Sequence, residues 1–194
     1  FTPLDVNGEF SGGFAEAADG TLIVTGKGTG VFHRSVQAFH PDTGASLWTA
    51  DRGSGGGRLG EIEGPPVIVG NSVVVNTGNR TDTAAFDIAT GTKTVWRNNS
   101  GRPDGGVVVG KSNGTDAVFA ATSQGVAAIA FGGGTLWTAG GDYETCTPAY
   151  DSTKNRVYFT DDNTGEVVAL RTATEGGNAA GSEAWRIATG NPSF

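Results

Sequence analysis

Apolar residues in this chain occur in short, β-branched runs that are separated by glycine-rich turns. Thr21 to Thr25, Val107 to Val109 and Arg156 to Phe159 are typical runs, and Asp19-Gly20 and Gly70-Asn71 are typical turns. Valine, isoleucine and threonine favour strands, whereas Asp-Gly favours the tight turn of a hairpin. No window of about twelve residues shows the period of an amphipathic helix. The pattern therefore predicts an all-β protein with almost no helix.

One arrangement of polar and apolar residues is repeated along the chain. It runs over residues 38–48 as AFHPDTGASLW and over residues 85–96 as AFDIATGTKTVW. Degraded copies run from Ala128 to Trp137 and from Ala169 to Trp185. Successive tryptophans are separated by 48, 41 and 48 residues, and a repeat of about 40–50 residues is typical of a propeller or a solenoid.

Each repeat holds four predicted strands, and we place the four-stranded units, or blades, at about residues 14–50, 65–98, 106–139 and 147–187 of a single domain over residues 1–194. A four-stranded sheet cannot bury both of its faces alone, so blades must stack. The predicted fold is a β-propeller of four blades with four antiparallel strands each, either a small closed ring or half of a larger one. The residues expected to fill the seams between blades are Trp48, Trp96, Trp137 and Trp185.

The recurring Ala-apolar, Asp, Thr-Gly and Trp pattern resembles the Trp-docking repeat of pyrroloquinoline-quinone-type β-propellers. That family includes quinoprotein alcohol dehydrogenases and the outer-membrane assembly lipoprotein scaffold, and the resemblance extends from about Phe14 to Trp185. Its propellers usually have seven or eight blades, which implies that this chain is a small ring, a piece of a larger ring, or a half that needs a partner. In the dehydrogenases a quinone is held with calcium and covered by a disulfide of adjacent cysteines. Cys146 is the single cysteine, so the resemblance favours the scaffold-like members and implies no cofactor.

Charge and composition exclude several function classes. Twenty acidic and thirteen basic residues give a net charge of −7, which repels the phosphates of nucleic acid and of anionic lipid. No apolar stretch approaches the roughly 20 residues that a membrane-spanning helix needs. A lone cysteine forms no internal disulfide framework, and we interpret Cys146 as a small buried residue at the start of a strand.

Three Asn-x-Ser/Thr triplets lie in predicted turns or loops, where a glycan would face solvent; they begin at Asn79, Asn98 and Asn113. Such triplets also arise by chance in a chain that is rich in Asn, Thr and Gly. If they are glycosylated, the protein is extracellular. We expect an extracellular, cell-surface or periplasmic protein.

Asp161-Asp162-Asn163 is a weak candidate for a calcium site. Its clustered oxygen ligands and the following Gly165 resemble a calcium loop faintly, but the distal bidentate Glu is missing. A hairpin turn between two strands explains every residue of the segment.

The remaining motifs do not predict catalysis. Residues 55–60, GGGRLG, match the glycine spacing of a dinucleotide-binding motif. That motif must be followed by a helix, whereas here EIEGPP follows, and its Gly-Pro-Pro does not favour one. Glu61 and Glu63 are loop carboxylates with no partner that would separate their pKa values. His33 and His40 lack a third metal ligand or the partners of a triad. We therefore predict no catalytic residue.

The sequence is best interpreted as a non-catalytic, secreted or cell-surface propeller module with a structural or interaction role. Unpaired edge strands at the ends of the array favour strand addition, so self-assembly into oligomers or filaments is part of this interpretation. Two alternatives remain open. One is a quinoprotein-type oxidoreductase fragment, and the other is a carbohydrate-binding propeller that uses Tyr143, Tyr150 or Trp137 as a stacking platform, although core packing is favoured for these rings.

Overall fold

The computed structural model describes residues 12–27, 34–50, 62, 64–77, 82–98, 105–143 and 146–189, and these residues contain strands and turns but no helix. The predicted all-β fold, with four sheets of four antiparallel strands, is confirmed. Sheet 1 contains β1 (Phe14–Glu16), β2 (Leu22–Lys27), β3 (Arg34–Phe39) and β4 (Ser46–Ala50). Sheet 2 contains β5 (Val67–Val69), β6 (Ser72–Thr77), β7 (Asp82–Asp87) and β8 (Lys93–Asn98). Sheet 3 contains β9 (Val107–Ser112), β10 (Thr115–Thr122), β11 (Gly125–Ala130) and β12 (Thr135–Ala139), and sheet 4 contains β13 (Ala149–Asp151), β14 (Arg156–Thr160), β15 (Glu166–Arg171) and β16 (Glu183–Ala188). None of the described residues forms a helix long and apolar enough to cross a membrane.

Every sheet is a simple meander in which sequence neighbours pair in order. In sheets 1, 3 and 4, the third and fourth strands show a register shift immediately after the repeated alanine. In sheet 2 the shift lies between Thr83 and Ala84, and the repeated alanine pairs with Thr94. Ala38 lies opposite Trp48 and Ala128 lies opposite Trp137, each immediately before the shift. A β-bulge of this kind twists a strand and re-aims its side chains, and in sheets 1, 3 and 4 it leaves the tryptophan opposite the same alanine.

An Asp-x-x-x-Gly turn with the same backbone geometry occurs in sheets 2 and 4, between β7 and β8 and between β14 and β15. Gly91 donates its N–H to Asp87 O at 2.8 Å, and Gly165 donates to Asp161 O at the same distance. Both glycines have a positive φ, 70° and 66°, which side chains with a Cβ adopt only at a cost. The Asp carboxylate also accepts the N–H of Thr90 or Thr164, which closes the turn locally.

Three hydrophobic clusters fill the seams between consecutive sheets. The first joins sheets 1 and 2 around Ile23 and Phe86, the second joins sheets 2 and 3 around Val74 and Ile129, and the third joins sheets 3 and 4 around Phe119. Each cluster therefore takes its residues from two consecutive sheets, and neither sheet forms it alone. Within the described part of the chain, no such cluster joins sheet 4 back to sheet 1.

Neighbouring sheets approach each other most closely just before their first strands. A Cβ on Gly64 would lie 2.2 Å from Gly106 Cα, and a Cβ on Gly106 would lie 2.7 Å from Thr147 Oγ1. Contacts this short leave no room for a side chain, so glycine is required where the inner strands converge. This convergence explains the glycines that precede the first strands of sheets 2 and 3.

The two ends of the row of sheets expose apolar residues. Phe14 of β1 is 67% exposed, and Trp185 and Ile187 of β16 are 44% and 60% exposed. Inside the row, the residues equivalent to Trp185 and Ile187 pack against a cluster that includes the next sheet. Each exposed end face, termed a half-seam, has no such neighbour among the described residues.

Candidate functional site

Trp48 docks on the turn of the following sheet. Its indole Nε1 donates to Ile88 O at 2.6 Å, and a Cβ on Gly91 would lie 2.7 Å from its Cε3 atom. The ring therefore lies flat against a turn that only glycine lets it approach. The hydrogen bond satisfies the one polar group of a ring that is otherwise packed in an apolar seam.

Trp137 docks on sheet 4 in a related way. A Cβ on Gly181 would lie 2.9 Å from its Cε3 atom, and its Nε1 donates to Ser112 Oγ at 2.8 Å. Its ring also packs against Phe119 at a centroid distance of 5.7 Å. Gly181 belongs to a longer loop than the Thr-Gly turn of sheet 2, so the docking geometry persists although the local sequence has changed.

Trp96 lies at the seam between sheets 2 and 3, and its surroundings differ. The centroid of its ring is 6.4 Å from that of the Phe131 ring. The glycines after Phe131 pass close to the Trp96 backbone: a Cβ on Gly133 would lie 3.3 Å from Trp96 O. No described residue accepts a hydrogen bond from its indole nitrogen. A groove of about 640 Å³ opens here, and its lining residues include Trp96, Phe131, Asp87 and Thr94.

Trp185 lies on the outer face of sheet 4. Its ring packs against Tyr158 of the same sheet at 5.7 Å and is otherwise open. The seam-filling role predicted for this tryptophan stays a prediction, because no further sheet covers the face in the described part of the chain. The other three tryptophans are each packed beside a cluster that spans two sheets.

A buried polar side chain that the sequence analysis did not single out ties sheet 2 to sheet 3. Asn76 Nδ2 lies within 3.2–3.4 Å of the carbonyl oxygens of Gly105, Gly106 and Ala121, and its Oδ1 accepts the Thr83 hydroxyl at 2.9 Å. The equivalent residue of sheet 1, Thr25, bonds in the same manner to backbone next to the sheet 2 entry. In the sequence, Asn76 is visible only as a polar residue after three valines. By the pattern of apolar residues alone, such a residue marks the end of a buried strand.

The predicted calcium segment forms a hairpin turn between β14 and β15. Asp161 is buried, and its Oδ1 accepts the N–H groups of Asn163 at 3.1 Å and Thr164 at 3.3 Å. Its Oδ2 lies 3.5 Å from Arg186, so a guanidinium already stands where a cation would bind. No cluster of three His, Cys, Asp or Glu side chains suited to a metal occurs in the described ranges. Calcium binding by Asp161, Asp162 and Asn163 stays an untested prediction, and these contacts do not favour it.

Arg186 is the centre of a charged network on the last strand. Its guanidinium lies 2.8 Å from Glu166 Oε2 and 3.0 Å from Glu183 Oε2, in addition to its contact with Asp161. Hydrogen bonds from Arg186 and Thr164 lower the pKa of the Glu166 carboxyl. One guanidinium thus bridges three carboxylates, which suits a structural role better than acid–base chemistry.

The other candidate residues provide no catalytic arrangement. His40 is at the end of β3, and its Nδ1 accepts the N–H of Asp42 at 3.2 Å, a local turn contact. His33, the segment 55–60, Glu61 and Glu63 lie outside the described residues.

Of the predicted glycan acceptors, Asn113 is described fully. It is exposed in the hairpin turn between β9 and β10 with φ 47°, and its Oδ1 accepts the N–H of Thr174 at 2.8 Å. Asn79 lies outside the described residues, and Asn98 is the last residue of β8, where only the backbone is described. Glycosylation at these positions stays a prediction.

The three rings considered as sugar platforms are packed in the seam between sheets 3 and 4. Tyr143 is 1% exposed and packs against Phe159, and Tyr150 stacks on Phe119 at 5.6 Å. Burial is the main cause of the raised pKa of the Tyr143 hydroxyl, with the negative charge of Asp161 adding to it. Together with Trp137 these rings are core residues, as the sequence analysis favoured.

Cys146 is partly buried beside the same seam and precedes β13 rather than beginning a strand, which corrects the sequence-based placement. Burial raises the pKa of its thiol to about 11. A thiol held in its neutral form is a poor nucleophile. This environment fits the predicted structural role.

Four meander sheets joined by tryptophan-filled seams define the chain as a β-propeller array, and comparison with known proteins names the type. The family described as outer membrane protein assembly factor BamB matches residues 7–120, which is more than half of the 194 residues. The chain therefore belongs to this family of pyrroloquinoline-quinone-type repeats. None of the curated proteins matches it significantly.

Two solved structures, the first two below, show the same fold at low sequence identity. The quinohemoprotein alcohol dehydrogenase from Comamonas testosteroni is 15% identical with a TM-score of 0.64, over 94% of this chain and 35% of that chain. The computationally designed Ika4 protein is 14% identical with a TM-score of 0.59, over 84% of this chain and 91% of that chain. BamB from Moraxella catarrhalis is 15% identical with a TM-score of 0.48, over 94% and 65%. The chain thus spans about one third of the dehydrogenase and less than two thirds of that BamB.

Proposed function

We propose that this chain is a non-catalytic β-propeller module with a structural or interaction role, and that it associates with protein partners, including further copies of itself. The observation that carries the proposal is the open face of sheet 4, which repeats a docking face and has no neighbour among the described residues. The family description, an assembly factor of the outer membrane, supports an interaction role on the outer side of the cytoplasmic membrane. The locations consistent with this role are the periplasm, the cell surface and the extracellular medium.

The open face of sheet 4 has the same five positions as the docking faces inside the row. These positions are occupied by Ile23, Val36, Ala38, Trp48 and Ala50 in sheet 1, by Phe119, Val126, Ala128, Trp137 and Ala139 in sheet 3, and by Tyr158, Val167, Ala169, Trp185 and Ile187 in sheet 4. In sheets 1 and 3 all five pack in the core that is shared with the following sheet. In sheet 4 the alanine is buried, whereas the tryptophan and isoleucine are exposed.

The complementary half of a seam is present at the other end of the row. Phe86, Ile129 and Leu170 follow the repeated alanine in sheets 2, 3 and 4, and each is buried against the preceding sheet. Phe39 occupies this position in sheet 1 and is only half-buried, with Phe14 exposed in β1. A second copy of the chain therefore presents the half-seam that each end lacks, and exposed apolar faces of this kind mark interaction sites.

Polar groups inside the array are engaged in holding the sheets together, which supports a structural role. The Asn76 amide bonds to the backbone that enters sheet 3, and Thr25 bonds to the backbone that enters sheet 2. Asp161 closes a turn and faces Arg186. A catalytic carboxylate or hydroxyl would instead be directed at a cleft with its pKa adapted to proton transfer.

Sedimentation equilibrium over a wide concentration range tests the proposal. We expect concentration-dependent association, and we expect Trp185→Arg combined with Ile187→Lys to shift the protein to monomers, because charges would be buried without partners in the new seam. Leu136→Lys is the matched control, since Leu136 is an exposed apolar residue of the last strand of sheet 3 that lies outside the cluster joining sheets 3 and 4. Monomers at every concentration, or equal loss of association in the control, would remove self-association from the proposed function.

An absorbance spectrum addresses the enzyme alternative separately. After incubation with pyrroloquinoline quinone and calcium chloride followed by gel filtration, we expect no quinone absorbance to travel with the protein. Retained quinone would overturn the non-catalytic role without bearing on self-association.

A further inference from the structure

We propose that the groove between sheets 2 and 3, beside Trp96, is a binding site for a neutral carbohydrate. The site is distinct from the end faces, so this inference goes beyond the proposed association of protein chains and does not depend on it. Four observations carry it: a free indole donor, the turn that leaves the groove open, the chemistry of the lining, and its charge.

The first observation is the difference between equivalent tryptophans. Trp48 and Trp137 each donate the indole N–H to an oxygen, at 2.6 Å and 2.8 Å. Trp96 has no acceptor among the described residues although it lies in the same kind of seam. Its half-buried ring therefore lines the groove with an apolar surface and has an indole donor that is not engaged by the described residues.

The second observation is the sequence that leaves the groove open. Below Trp48 the next sheet supplies the turn Asp87 to Gly91, whereas beside Trp96 it supplies Phe131 followed by three glycines. Gly132, Gly133 and Gly134 all have positive φ, 87°, 99° and 96°. A turn without side chains fills less space, and the result is the groove of about 640 Å³.

The third observation is the pairing of aromatic and hydroxyl groups in the lining. Trp96 and Phe131 form an apolar wall, with Phe131 38% exposed. The polar side chains of the lining are Asp87, Ser72, Thr90, Thr92 and Thr94. A sugar ring has faces of C–H groups that pack on aromatic rings and a rim of hydroxyls that both donate and accept, so it matches this combination of surfaces.

The polar side of the groove is ordered before a ligand binds. Asp87 Oδ1 accepts the N–H and the hydroxyl of Thr90, both at 2.8 Å, and the Thr90 and Thr92 hydroxyl oxygens lie 2.9 Å apart. Asp87 Oδ2 and the Thr94 hydroxyl take part in no hydrogen bond among the described residues and remain available. A fixed set of donors and acceptors reduces the entropy that a polar ligand loses on binding.

The fourth observation is charge. The lining contains one carboxylate and no cation, and the whole chain has a net charge of −7. An anionic sugar or a phosphate would be repelled from such a groove. The structure therefore favours a neutral saccharide over an acidic one.

Titration followed by ¹H–¹⁵N correlation spectra tests the site on the intact chain. The probes are the methyl glycosides of glucose, galactose, mannose and N-acetylglucosamine, together with maltohexaose and cellohexaose, each at up to tens of millimolar. The four indole N–H signals, assigned from single Trp→Phe variants, form the readout. We expect at least one probe to shift the Trp96 signal in a saturable way and to leave the Trp48 and Trp137 signals in place.

Two variants examine the lining, and each has a control. Phe131→Ala should weaken the responding probe by roughly tenfold, because it removes part of the aromatic wall, and Phe14→Ala, an exposed phenylalanine outside the groove, should leave the affinity unchanged. Thr94→Val should weaken binding severalfold while preserving strand packing. Thermal melts of each variant exclude loss of fold as the cause.

Each result supports or overturns the inference. Binding that shifts the signals of Trp48 or Trp185 but not of Trp96 would show that the groove is not the site. The absence of any saturable shift with all six probes would overturn the neutral carbohydrate as the ligand.

Discussion

Trp48 and Trp185 are equivalent residues of the first and last sheets, yet one is a core residue and the other is exposed. Both lie opposite the repeated alanine, Ala38 or Ala169, at the same register shift. Trp48 is covered by the turn of sheet 2 and bonds to Ile88 O, whereas Trp185 contacts Tyr158 of its own sheet and is 44% exposed. The strand orients the ring, and the neighbouring sheet determines whether that ring stabilises the fold.

The largest expected effect comes from truncating these two rings. Trp48→Ala should lower the free energy of unfolding by about 3–5 kcal/mol, because it empties a packed seam and leaves the Ile88 carbonyl without its donor. Trp185→Ala should cost less than about 1 kcal/mol in the monomer, because much of the ring is already in water. Urea denaturation at low protein concentration measures both. Equal losses would contradict the contrast between a covered and an uncovered docking face.

A smaller effect should follow from placing a methyl group beneath the covered ring. Gly91→Ala combines a positive φ of 70° with a Cβ only 2.7 Å from Trp48 Cε3, so we expect a loss of about 2–4 kcal/mol. Gly70→Ala is the matched control, since Gly70 has φ 57° but nothing within 4 Å of its Cβ position, and it should cost only about 1 kcal/mol of backbone strain. The difference between the two unfolding free energies isolates the contact with the ring. If the two variants are equally stable, the Trp48 ring is not in close contact with this turn.

The smallest effect concerns Cys146, which lies beside the covered seam between sheets 3 and 4. Burial raises the pKa of its thiol from 9.0 to about 11, so the folded chain keeps a proton in this pH range that the unfolded chain has lost. Stability should therefore be unaffected well below pH 9 and should fall as the pH rises through this range. Iodoacetamide should label the native thiol at pH 8 much more slowly than the unfolded thiol.

Cys146→Ala provides the control for this pH dependence. The variant should lose the part of the alkaline decline that comes from the thiol, which paired urea titrations would reveal. Native labelling as fast as labelling in denaturant would show that the seam does not bury the thiol.

Fold and repeat were predictable because their signals are local. Runs such as Val107 to Val109 favour strands, and Thr90-Gly91 closes a tight turn before Trp96. Neither signal requires knowledge of distant residues. The prediction of four antiparallel meanders is confirmed for this reason.

The candidate sites were less predictable because they depend on residues from separate repeats. Asn76 ends a valine run in sequence, but in three dimensions it bonds to carbonyls that follow it by about thirty residues or more. The groove needs Thr94 and Trp96 from one sheet together with Phe131 from the next. No single stretch of sequence displays either combination.

By itself, the sequence determined that four sheets form and where along each sheet the tryptophan lies, since alternation and turn chemistry act within a few residues. Tertiary structure alone decided the environment of each ring: capped at Trp48, beside a groove at Trp96, and open at Trp185. The physical reason is that the surface covering each ring, and for Trp48 also the acceptor of its hydrogen bond, comes from the neighbouring sheet. One repeated residue can therefore be a core anchor, part of a binding groove or a docking surface.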